Sequence, residues 1–180
     1  MLPDPLHPAV VHFPIVLMIL LPVIAAGALW AIRRGSSPRL AWGMPFAFAA
    51  ALTLSAWVAV ETGESQEEKV ENAVAEAPRQ AHEESAELFL ILSGVVLIVT
   101  GAGLLRGRLG GAARLAATAG ALGLVAVGAQ VGHTGGKLVY QYGAASAYVQ
   151  GGALGDTGPT GEAGARGRGE RGGGEKAEDD

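Results

Sequence analysis

The chemistry open to this sequence rests on its histidines: His7, His12, His82 and His133. Cysteine is absent, which excludes disulfides, thiolate metal sites and covalent c-type haem attachment. Neutral imidazole ligates haem iron, zinc and copper. A b-type haem needs one or two axial ligands and an apolar slot. A zinc or copper ion needs several groups converging at about 2.0–2.2 Å. Each histidine stands close to the end of a long apolar run, where a helix terminus holds a ring more rigidly than a loop does. Other site chemistries find no support. In His82-Glu83-Glu84-Ser85-Ala86 an alanine stands where a zincin motif has its second histidine. No serine-nucleophile elbow or phosphate-cradling loop occurs.

The elements that must position these rings are four uncharged apolar segments: 13–32, 40–60, 88–105 and 115–132. At about 1.5 Å per residue, each reaches roughly 27 Å or more, near the thickness of a hydrocarbon core. Backbone amides in lipid must pair within their own segment, so each run is expected to be helical. Hydrophobic residues make up 49% of the 180-residue chain and charged residues only 17%, which points to a chain solvated by lipid. A net charge of -4 with no basic patch argues against nucleic acid as a partner. Pro8 and Pro14 suit first helical turns, so the first span is expected to start near His12. No Lys or Arg precedes that span, unlike the positive n-region of a signal peptide.

Charge sets an expected orientation. The short connections 33–39 and 106–114 carry Arg33, Arg34, Arg39, Arg106, Arg108 and Arg114 and no acid. The connection 61–87 carries nine Glu against Lys69 and Arg79. The positive-inside rule then puts the arginines in the cytoplasm and both termini outside. Trp30 and Trp42 are expected in the headgroup layer on the arginine side.

The fold expected is all-α, an antiparallel four-helix membrane bundle over residues 1–150, followed by a disordered Gly-rich tail over 151–180. The tail repeats glycine every third residue from Gly155 to Gly167, too briefly for a collagen helix. Gly128 and Gly132 form a GxxxG step, and the Gly-rich third and fourth spans could support an oligomer. Thr62-Gly63 and Gly135-Gly136 read as helix stops. The acidic loop 64–84 reads as a solvated segment with room for a short helix ending before Pro78. Gln130, the main strongly polar group within a span, is expected to bond a neighbouring helix.

The site expected is a histidine cluster at the outer end of the bundle. Its leading reading is a b-type haem passing electrons to a redox partner on the outer face. His12 would oppose His133 or His82 as axial ligand, with His7 nearby. Lys137 or Arg79 would pair with the propionates. The alternatives are a zinc or copper site built from the same histidines with Glu61 or Glu84, and a non-catalytic assembly protein using its acidic loop.

The string His7-Pro8-Ala9-Val10-Val11-His12-Phe13-Pro14-Ile15 resembles the N-terminal signature of the bacterial membrane proteins catalogued as domain of unknown function 2231. Thr62-Gly63, His82 and Gly135-Gly136-Lys137-Leu138-Val139-Tyr140 fit the same pattern, which covers roughly residues 5–150. The resemblance implies four membrane helices and no established activity. Some relatives join cytochrome-like domains, which favours haem. The resemblance says nothing of the tail.

Overall fold

The computed structural model describes residues 6–71 and 74–146. They form a short helix α1 (His7–Val10) and four long ones: α2 (His12–Arg33), α3 (Pro38–Glu71), α4 (Glu76–Ala102) and α5 (Gly107–Tyr140). Helix α2 packs on α3 and α5, α3 on α4, and α4 on α5, which closes an antiparallel ring. All four are long and apolar enough to cross a membrane. The break between α1 and α2 follows from Pro14, which cannot donate to the Val10 carbonyl and whose ring crowds it.

Each helix turns a stripe of small and apolar residues inward. Met18 and Leu21, Ala49, Leu52 and Ala56, Phe89 and Val96, and Ala121 and Leu124 make one buried cluster. The opposite faces stay apolar and exposed, as at Ile19, Leu54, Ile98 and Leu122, because lipid is their solvent. Buried Ser93 and Thr100 donate to carbonyls of their own helix, Leu90 and Val96, so no polar group is left unsatisfied there.

The helices outrun the expected spans. Helices α3 and α5 have 34 residues each, about 51 Å of helix against a hydrocarbon core near 30 Å. Both overhang at the acidic end. Thr62-Gly63 and Gly135-Gly136 are helix interior, not helix stops. An interior glycine costs only about 1 kcal/mol, and packing against the bare backbone offsets it. The short helix expected before Pro78 is the overhang of α3. Pro78 instead lies in the first turn of α4, where its missing N–H costs nothing. The glycine-periodic tail lies outside the described residues.

The basic end is held by two side chains that the charge pattern had assigned to the surface. Trp42 is fully buried among the helices, where its ring packs on protein. Its Nε1 donates to the Thr100 carbonyl at 2.9 Å, and its ring lies on Gly103. Arg114 is buried as well. Its Nε donates to the Gly103 carbonyl at 2.8 Å and its Nη2 to the Leu105 carbonyl at 3.0 Å. These are carbonyls that the end of α4 leaves without helical donors. Trp30 keeps the expected exposed place, with the Arg34 guanidinium 4.9 Å from its ring. Of the GxxxG pair, Gly128 packs against Met18 and Phe89, whereas a side chain at Gly132 would meet nothing. Gln130 is exposed and bonds no neighbouring helix.

Candidate functional site

At the acidic end the structure brings together His7 and His82. Their ring centroids are 6.4 Å apart and the planes meet at 83°. Both residues are half-buried. His7 opens α1 and reaches across to α3; His82 lies two turns into α4 and reaches across to α5.

The two rings are seated alike. His7 Nδ1 is 2.8 Å from the Ala59 carbonyl. A carbonyl can only accept, so Nδ1 carries the proton and Nε2 of the neutral ring keeps its lone pair. Thr62 Oγ1 also donates to Ala59, at 3.0 Å. The next residue, Gly63, lies beneath the ring; a Cβ there would be 3.2 Å from His7 Cε1. His82 Nδ1 is 3.0 Å from Thr134 Oγ1. With that hydroxyl donating to the Val131 carbonyl at 3.0 Å, it accepts from the His82 tautomer protonated at Nδ1, whose Nε2 keeps its lone pair; Ser85 Oγ lies 3.1 Å from the same hydroxyl. Gly135 lies beneath this ring, its would-be Cβ 3.0 Å from His82 Cε1. Each hairpin therefore places a histidine from its first helix on a Thr-Gly step of its second. The Ser85 hydroxyl donates to the His82 carbonyl at 2.7 Å and pins that turn.

Three carboxylates gather at the same end of the bundle, in a group that includes neither histidine. Glu64 follows Gly63, Glu83 follows His82, and Glu87 lies one turn further along α4. Oxygen atoms of these three lie within 4.8 Å of one another. These are not Glu61 and Glu84, the acids expected to assist the histidines. His12 and His133 are exposed, and among the described residues neither makes a hydrogen bond or ring contact. His12 lines a shallow apolar groove with Phe13, Val16 and Leu17.

The opposed pair is thus His7–His82, whereas the expected axial ligand His12 stands outside it. The missed signal was a repeat: His followed, one helix later, by Thr-Gly occurs in both halves of the chain. Taken as helix stops, the Thr-Gly steps could not be recognised as ring seats. A proton acceptor on Nδ1 is what holds metal-ligating histidines in place and directs Nε2 outward. Two such rings, each with a lone pair on Nε2, have the chemistry to ligate a cation.

No curated protein and no solved structure matches the chain. The family described as "Predicted membrane protein (DUF2231)" matches residues 3–147, the region of the four helices and both histidine seats. The chain belongs to that family of membrane proteins.

Proposed function

We propose that this protein binds a transition-metal ion through Nε2 of His7 and Nε2 of His82, on the non-cytoplasmic side of a bacterial inner membrane. The observation that carries this reading is the twice-built seat, in which each Nδ1 lies within hydrogen-bond distance of an oxygen, so that the tautomer protonated there presents Nε2 as a ligand. Imidazole suits zinc and copper. Two protein ligands leave coordination positions open, which suits taking up and passing on a metal better than locking it in a closed structural site. The group of Glu64, Glu83 and Glu87 draws cations toward this end of the bundle. The side of the membrane follows from the arginine-rich connections at the opposite end.

A second reading is the b-type haem passing electrons. One observation favours it: a 6.4 Å centroid separation is about the length of two metal–imidazole bonds of ~2.0–2.1 Å plus the ring radii. The acidic group counts against it, because haem propionates at this end would be repelled by carboxylates.

Elemental analysis and absorption spectra of protein purified from cells supplied with zinc, copper and haem decide between them. The expected result is bound zinc or copper without a Soret band. It should be lost in H7A/H82A and kept in H12A/H133A. A Soret band that disappears in H7A/H82A would install the haem instead. Colourless, metal-free wild-type protein would sink both. Thr134→Val removes the acceptor on His82 Nδ1 and should weaken metal binding about 10-fold or more in a chelator competition.

A further inference from the structure

The basic end carries a second binding surface. A groove between α2 and α3 is lined by Ile24, Gly27, Ala28 and Ala31 on one side and Leu40, Ala41 and Met44 on the other. Its α2 wall is a stripe at helical spacing whose small residues make it concave. None of the lining residues is polar or charged. The connection joining the two helices runs across its mouth. There Arg33, Arg34 and Arg39 are exposed, and the segment 33–39 contains no acid. Arg34 is steadied over Trp30, an indole at the depth of lipid headgroups.

We propose that this groove holds an anionic phospholipid, with one acyl chain against Gly27, Ala28 and Ala31 and the phosphate among Arg33, Arg34 and Arg39. Charge chooses this occupant over a second copy of the chain. A two-fold contact through this face would bring two identical arginine clusters together. A zwitterionic lipid would fill the groove but leave the arginines uncompensated.

Native mass spectrometry of the delipidated full chain, with phosphatidylglycerol or phosphatidylcholine added back, tests this. Wild type should retain phosphatidylglycerol in preference. R33Q/R34Q/R39Q should weaken retention about 10-fold or more, since each phosphate contact by arginine is charge-assisted. Gly27→Leu supplies the decisive arm. A side chain at Gly27 meets nothing within 4 Å, so it fills the groove without disturbing the fold or any charge. It should reduce retention comparably. R106Q/R108Q, at the other basic connection, should not. Retention that survives Gly27→Leu, or falls equally in R106Q/R108Q, would overturn the proposal in favour of diffuse attraction. A dimer that Gly27→Leu breaks would overturn it in favour of a second copy.

Discussion

Arg114→Met lowers the unfolding free energy of the detergent-solubilised protein by about 3 kcal/mol, as two hydrogen bonds from a charged donor are lost. The Gly103 and Leu105 carbonyls then lose the guanidinium donors that they share. Methionine keeps the unbranched stem as far as the position of Nε and removes the guanidinium, so the loss reports chiefly its hydrogen bonds. Arg108→Met, at an exposed position of the same helix, changes stability by less than about 0.5 kcal/mol. Gly110→Ala attacks the same turn sterically. Its Cβ would overlap the Leu105 carbonyl, a backbone group that no rotamer change can move aside, and the cost is about 2 kcal/mol or more. Unfolding curves in denaturing detergent, read by the fluorescence of buried Trp42, measure all three. An Arg114→Met curve that overlays Arg108→Met would show that the turn holds without the clamp.

That clamp illustrates what could and could not be read in advance. Helix number follows from the count and length of the apolar runs, because lipid allows the backbone only one way to pair its amides. Those features needed no tertiary information. Where they failed, a residue type had two uses. Arg114 and Trp42 look like interface residues by composition, yet both are buried where the end of α4 needs donors. Gly63 and Gly135 look like helix stops, yet in a bundle a bare backbone also serves as a seat for a neighbouring ring. Histidine identity was legible, but pairing was not, because pairing depends on the rotation of each helix about its axis. The N-terminal pair shows this: five residues apart, His7 and His12 stand about 140° apart around a helix, so His7 reaches α3 while His12 is exposed.

The same seating argument predicts that metal can be lost with every histidine intact. At Gly135 a methyl group would stand 3.0 Å from His82 Cε1, and at Gly63 3.2 Å from His7 Cε1. Alanine at either position asks the ring to shift by a few tenths of an ångström, and should weaken metal binding about 10-fold, the lower range for lost support of a ligand. Leucine lifts the ring off its Nδ1 acceptor altogether, and should weaken it about 100-fold, the upper range. Gly132→Leu, on the same helix but in open space, should leave binding unchanged. Chelator competition on the purified variants gives the numbers, and their unfolding curves separate local displacement from collapse. The double variant Gly63→Leu/Gly135→Leu distinguishes one shared site from two. If both rings hold one ion, displacing either removes half the ligand set, and the second substitution adds less than its single effect, as expected for coupled residues. If each ring acts alone, the losses multiply. A multiplicative result would therefore break the pairing of His7 with His82 even if both singles behave as expected.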